Sequence, residues 1–188
     1  MSREDRDKWN QRYAEDSQRK HNPVDLIDQW AQSPGRALDI ASGAGRNAIA
    51  LAQRGYRVDA LDISSEGLRL TSDTAAQLGL EINCIEHDLD QPYPFAGDYD
   101  LILVMWYVNL PLITRLCDFL APAGRLISQQ HLLSDGDLAG PGNPRFRVKP
   151  GALAEAVAPL NILYYRESMH DNDAGEAMAS AAVVATRD

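Results

Sequence analysis

Residues 36–48, RALDIASGAGRNA, constrain this chain more than any other stretch, because three structural events follow one another without a break. A short apolar run ends in a turn of small residues, and the turn passes straight into a helical pattern. Small residues let the backbone turn sharply and approach a ligand, while the next helix points its free N–H groups at the same place. Asp62 lies 19 residues beyond Gly43, at the end of the next apolar run, RVDALD. There a carboxylate can accept both hydroxyl donors of a ribose. Together these features predict a nucleotide-cofactor site at the carboxyl end of a first strand.

The rest of the chain reads as sheet and cover around that site. Residues 3–16 form a polar helix with Trp9 and Tyr13 four apart, hence on one face. That pair is either a packing stripe or the aromatic face of a lid over a ligand. A second short helix is expected from Pro23, in His21–Trp30. Strands follow at 37–40, 57–62, 81–86, 99–106, 125–130, 161–167 and 177–186. Helices are expected at 46–54, after a Ser64 or Ser65 cap, at 111–120 and at 151–157. The helix after Ser64 should turn Leu68, Thr71, Ala75 and Leu78 inward. The run YDLILVMW, 99–106, is the most apolar, as a central strand covered on both faces should be. Alternating strands and helices give an α/β fold with a mainly parallel sheet and right-handed crossovers.

Charge narrows the ligand. The 188 residues carry 27 Asp and Glu against 18 Lys and Arg, a net charge of −9. Such a surface repels phosphate backbones, so a small-molecule or protein partner is expected and a nucleic acid is not. The amino end is densely charged with no apolar core of a signal peptide, and no run approaches a membrane span. A cytoplasmic protein is expected, with Cys84 and Cys117 as reduced thiols. The four histidines, His21, His87, His131 and His170, lack metal-ligand spacing, so no metal is expected.

The turn also matches the dinucleotide pattern G-x-G-x-x-A at Gly43, Gly45 and Ala48, so a nicotinamide-dependent oxidoreductase must be weighed. Asp39, four residues before Gly43, argues against it. A carboxylate there would repel a pyrophosphate but suits an amino group or a positive sulfur. The chain is also short for a dehydrogenase with a separate substrate domain.

Asp39-Ile40-Ala41-Ser42-Gly43-Ala44-Gly45 resembles the first motif of class I S-adenosylmethionine-dependent methyltransferases, acid-x-Gly-x-Gly-x-Gly, with Ala41 at the first glycine. The likeness covers nearly the whole chain. Asp62 matches that family's ribose-binding acid, and His87-Asp88-Leu89 its third-strand motif, in which the Asp and the following N–H bond the adenine. Residues 99–102 through Met105 resemble the fourth-strand motif, and 120–126 resemble L-x-P-G-G-x-L with Ala123 for a glycine. Within the superfamily, residues 9–13 (WNQRY), 43–47 (GAGRN) and 55–58 (GYRV) look most like the tellurite-resistance and thiopurine methyltransferase group.

The resemblance implies a single Rossmann-like domain over 1–188, with a helical lid segment at 1–32 and a core at 36–188. Its seven-stranded sheet takes the order 3-2-1-4-5-7-6 with the last strand antiparallel and helices on both faces. It implies S-adenosylmethionine as cofactor and S-adenosylhomocysteine as product, held by Asp39, Ala41, Ser42, Gly43, Gly45, Asn47, Asp62, Ile63, Asp88, Leu89 and Met105. The implied reaction is in-line methyl transfer to a small molecule with a sulfur, selenium, tellurium or nitrogen nucleophile. A protein that holds the cofactor without turnover is the other reading. On the acceptor side stand Trp9, Tyr13, Trp106, Tyr107, Asn109 and His131, the last as a base or a structural histidine. Arg145, Arg147 and Lys149, in the long segment 133–150, are either a solvated loop or a clamp for an anionic substrate.

Overall fold

The computed structural model describes residues 3–15, 22–94, 96–134, 136, 138–172 and 174–188. His21 lies outside them. The seven strands are β1 (Arg36–Ile40), β2 (Arg57–Asp62), β3 (Ile82–Glu86), β4 (Tyr99–Met105), β5 (Leu120–His131), β6 (Asn161–Asp171) and β7 (Ala177–Thr186). They form one mixed sheet in the order β3-β2-β1-β4-β5-β7-β6. The helices are α1 (Arg3–Glu15), α2 (Leu26–Trp30), α3 (Arg46–Gln53), α4 (Ser65–Gln77), α5 (Leu110–Leu116) and α6 (Ala152–Ala156). Contacts group the chain into two compact units, Met1–Leu101 and Ile102–Asp188. The seven-stranded order expected from the resemblance is the one observed.

In the first unit β1 pairs with β2 and β2 with β3, all parallel, so three carboxyl ends point the same way. Ala37, Leu38, Ile40, Ala60 and Leu61 are fully buried, as strands covered on both faces require. Ser64 caps α4, its hydroxyl accepting from Gly67 N–H at 3.0 Å. Leu68, Thr71 and Ala75 face inward as expected, but Leu78 is 50% exposed. The helix ends at Gln77, and Leu78 stands in its C-cap, where the chain turns outward. The second helix starts at Leu26 rather than near Pro23, because residues 24–28 make three-residue turns first. Val24 N–H is instead bound by the Asn47 side chain at 3.2 Å.

A polar knot closes the amino ends of these strands. Asp59 accepts from Arg36 at 3.0 Å, from Tyr99 Oη at 2.7 Å and from Asn83 at 2.8 Å. The Arg36 guanidinium lies over the Tyr99 ring, 4.1 Å from its centroid. Burial alone would raise Asp59, but these hydrogen bonds hold its carboxyl below the usual carboxylate range.

In the second unit β7 runs antiparallel to both β5 and β6. Its small residues, from Met178 to Ala185, are all buried. Strand β5 begins at Leu120, five residues before the expected start, and the last turn of α5 is a 3₁₀ segment at Cys117–Phe119. The reason is the chain's end. Ala123 N–H donates to Arg187 O and Arg187 N–H to Gly124 O, which draws residues 121–124, expected to lie between helix and strand, into β5. Ala123 absorbs the kink with φ 60°. Strand β6 runs on to Asp171 because the Asn172 side chain closes the hairpin, accepting from Ala174 and Glu176 N–H at 2.9 Å each.

Tyr99→Phe removes the hydroxyl that bridges Arg36 and Asp59 while keeping the buried ring. Loss of a hydrogen bond to a charged group should cost about 1.5–3 kcal/mol, read as a lower urea midpoint at unchanged slope.

Candidate functional site

The glycine turn is built by positive backbone angles. Ala41, Gly43 and Gly45 have φ 54°, 58° and 77°. Gly43 and Gly45 have no substitute, since a Cβ at Gly45 would run into the Thr71 side chain and one at Gly43 into the Tyr13 hydroxyl. Ala41 carries a Cβ in the region a glycine occupies freely, at roughly 1–2 kcal/mol. The turn is held to the neighbouring strand: Ser42 N–H donates to Leu61 O at 3.0 Å, and Thr71 Oγ1 donates to Gly43 O at 3.3 Å.

Asp62 is the joint. One carboxylate oxygen accepts from Gly43 N–H at 2.9 Å and the other from Ser64 N–H at 2.8 Å. The carboxylate is therefore fixed between the glycine turn and the start of α4, with the Ile63 N–H as a further backbone donor. It is 7% exposed, and burial outweighs the backbone donors and raises its pKa.

Asp39 lies beneath the turn at 1% exposure. Burial, only partly offset by the charge of Arg46 and the N–H of Ala48, pushes its carboxyl up to about 7. Its Oδ2 and the Ser42 Oγ are buried with no hydrogen-bond partner. Buried polar atoms are normally satisfied. Two orphans beneath one glycine turn are what a bound group bearing hydrogen-bond donors would complete, so the residues fit a cofactor with an ammonium or hydroxyl groups.

The helix α1 lies over this turn. Arg6, Asn10 and Tyr13 share a face and meet three points in succession. Arg6 pairs with Glu86 at 3.6 Å, Asn10 Oδ1 accepts from Ser64 Oγ at 2.7 Å and from Glu66 N–H at 3.2 Å, and Tyr13 reaches Gly43. Burial first, and then the Asp62 carboxylate, raise the Tyr13 phenol well above its ordinary value, so it stays protonated. Trp9 stacks on Tyr13 with centroids 5.8 Å apart, and Arg12 covers the Trp9 ring at 5.1 Å. Asn10 is the residue that sequence reasoning missed. Its helical spacing from Arg6 and Tyr13 was the available signal.

The remaining first-unit candidates fall less evenly. Ile63 and Leu89 are buried at 2% and 3%. Asp88 caps its own turn, its Oδ1 accepting from Asp90 N–H at 3.0 Å. Asn47 is buried, and its amide oxygen goes to Val24 rather than into the turn. A cleft of about 990 Å³ opens among Arg36, Tyr56, Asp59, Ser72, Leu80 and Asn83, at the opposite strand ends. Its Asp59, Arg36 and Asn83 are consumed by the knot described above.

In the second unit Met105 ends β4 at 6% exposure, and Trp106 and Tyr107 follow, half-buried. Trp106 has φ 59°, held by its N–H donating to Gln129 O at 2.8 Å. Asn109 is the N-cap of α5, accepting from Leu112 N–H at 3.1 Å, so its side chain has a structural partner. Arg147 is neither solvated nor a free clamp. Its guanidinium donates to the carbonyls of Leu132, Leu138, Ala139 and Pro141 at 2.9–3.2 Å and staples the long loop. Arg145 and Lys149 are exposed, Arg145 over Phe146 at 4.5 Å. Among the described residues no group of His, Cys, Asp and Glu can hold a metal ion.

Residues 37–124 match the model of a family described as a methyltransferase domain. The matched stretch, just under half of the chain, runs from β1 into β5 and holds Asp39, the glycine turn and Asp62. The release factor glutamine methyltransferase of Bacillus subtilis (strain 168) is 33% identical over 103 residues, covering 53% of this chain and 34% of that protein. The chain spans about a third of the length of the first curated relatives it matches. Among solved structures, TehB from Haemophilus influenzae superposes with a TM-score of 0.78 at 21% identity, covering 96% of this chain and 67% of that one. Magnesium protoporphyrin IX methyltransferase (ChlM) from Synechocystis PCC 6803, with bound SAH, gives 0.73 at 18% identity, covering 98% of each chain.

Asp39 sets a pH signature. Its folded pKa lies above the unfolded carboxylate value, so between pH 4 and 7 the native state holds a proton that the unfolded chain has lost. Its contribution to stability is therefore complete below about pH 4 and fades by up to about 1.4 kcal/mol per unit toward pH 7. Asp39→Asn should remove that component. The gap between the thermal midpoints of variant and wild type should widen in favour of the variant from pH 4.5 to 7.5.

Proposed function

We propose that this chain is an S-adenosylmethionine-dependent methyltransferase acting on a small molecule. The observation that carries the reading is the pair of buried carboxylates at the glycine turn, together with the orphaned Asp39 Oδ2 and Ser42 Oγ. Asp62 holds the ribose hydroxyls. Asp39 and Ser42 receive the ammonium of the methionine portion, and the Asp39 carboxyl ionises when that positive charge arrives. The adenine lies against Ile63, Asp88 and Leu89. Tyr13 and Trp9, on α1, cover the bound ligand.

Bound S-adenosylmethionine supplies a methyl group activated by a sulfonium leaving group. The chain's own task is to align the acceptor with that carbon and to exclude water. Within the second unit, the half-buried Trp106 and Tyr107 offer an acceptor an aromatic surface. The acceptor class favoured by the likeness to the TehB group is a sulfur, selenium, tellurium or nitrogen nucleophile. A soluble, cytoplasmic setting accords with the acidic charge, and no helix among the described residues is long and apolar enough to cross a membrane.

A thermal-shift and calorimetric comparison of S-adenosylhomocysteine, S-adenosylmethionine, NAD and NADP tests this reading. The two adenosyl ligands alone should raise the midpoint, by about 2.7 kcal/mol of stabilisation at 100 times the dissociation constant. Asp62→Ala should weaken S-adenosylhomocysteine binding by about 1–3 kcal/mol through lost charge-assisted hydrogen bonds. Wild-type affinity in that variant, or a shift with NAD alone, would overturn the reading.

A further inference from the structure

Within the second unit, at the carboxyl ends of β4 and β5, the rings of Trp106 and His131 lie 4.5 Å apart at 39°. Trp106 is kept there in a left-handed backbone conformation, a strain of the kind that persists only where the surroundings over-determine it. The two nitrogens of His131 are unlike. Its Nδ1 is sealed from solvent without a partner, and Gly140 packs so closely that a Cβ would stand 2.7 Å from it. Nε2 is thus the nitrogen that can meet a ligand.

The ring's protonation follows from this geometry. A proton on Nδ1 would be a buried donor with no acceptor, which costs more than a buried lone pair. Burial first, then the charge of Arg147, hold the imidazole down to about 4, so it is neutral at physiological pH. Arg147 gives its hydrogen bonds to four carbonyls but keeps its charge, and it is the charged group among the described residues that faces His131. The single ring proton accordingly sits on Nε2. A group so arranged is a weak base and a permanent donor.

We propose that His131 is a fixed-tautomer hydrogen-bond donor that, together with the Trp106 ring, selects methyl acceptors carrying an anionic or carbonyl oxygen on a flat body and rejects protonated amines. The proposal rests on the methyltransferase reading for the word acceptor, but not for the binding chemistry. His131 acts as a specificity residue and takes no proton from the nucleophile, so the acceptor must arrive already deprotonated or lone-pair bearing.

The test uses the full chain with ¹⁵N-labelled histidine. Imidazole nitrogen spectra should show His131 with its proton on Nε2 and without titration from pH 5.5 to 8. Benzoate, as the anionic probe, should shift the Nε2 signal and quench tryptophan emission, and benzylamine, protonated at pH 7, should do neither. His131→Phe, which keeps a ring but loses the donor, should bind benzoate about tenfold more weakly. Its S-adenosylhomocysteine affinity should be unchanged. A proton on Nδ1, titration near pH 6.5, no response to benzoate, or an equal response to benzylamine would each overturn the proposal. The spectra of the wild-type chain decide the matter even if the variant fails to fold. Loss of S-adenosylhomocysteine binding in the wild type would sink the methyltransferase reading separately, leaving the benzoate result to stand on its own.

Discussion

Two carboxylates buried beneath one glycine turn set the terms for the first unit. A carboxylate at 1% or 7% exposure is costly unless something compensates it. Asp62 is compensated by the chain itself, through the N–H groups of Gly43 and Ser64. That compensation ties β2, the turn and the start of α4 into one rigid corner. Asp39 has no such full set of partners. It retains an orphaned oxygen and a carboxyl pushed up to about 7, so its charge is decided by what binds above it. Stability and ligand recognition are thus in tension at one residue, as expected where a fold is shaped for a ligand.

The helix α1 depends on that corner. Its docking residue, Asn10, binds the hydroxyl of Ser64, which also caps α4, and Ser64 is itself positioned by Asp62. One hydrogen-bonded series therefore runs from the glycine turn through the α4 cap to the covering helix. The Arg36–Asp59–Tyr99 knot at the opposite strand ends has every member satisfied and faces a cleft without orphaned groups. The contrast separates a site from a brace. The brace is complete, whereas the turn keeps two orphaned polar atoms, Asp39 Oδ2 and Ser42 Oγ.

Much of this was legible in residues 36–62, because each signal there is local. Gly43 and Gly45 take positive φ, the helix follows at once, and Asp62 falls at the end of its strand because parallel β1 and β2 run in register from Arg36–Arg57 to Ile40–Leu61. The order of the sheet followed from the likeness to a known family rather than from strand pattern. What sequence did not disclose was set by distant partners. Residues 121–124, with their Pro and Gly, stood outside the expected strand, and they became strand because Arg187 pairs with Ala123 and Gly124. Arg147 read as part of a solvated loop or of an anion clamp, yet four carbonyls of a folded loop bind it. Asn109 read as a pocket residue because it follows β4, but the same position makes it the cap of α5. Ala41 and Ala123 stand where the family's motifs carry glycine, and both adopt the positive φ that explains that preference.

The central claim is that the site binds a cationic adenosyl ligand over a carboxyl that ionises to meet it. Calorimetric titration of S-adenosylmethionine near pH 6.5, in buffers of different ionisation enthalpy, addresses it directly. Asp39 is largely protonated there in the free protein, so binding should release a substantial fraction of one proton to the buffer, and Asp39→Asn should release none. Binding with no proton release in the wild-type chain would contradict the account, as would release that survives in Asp39→Asn.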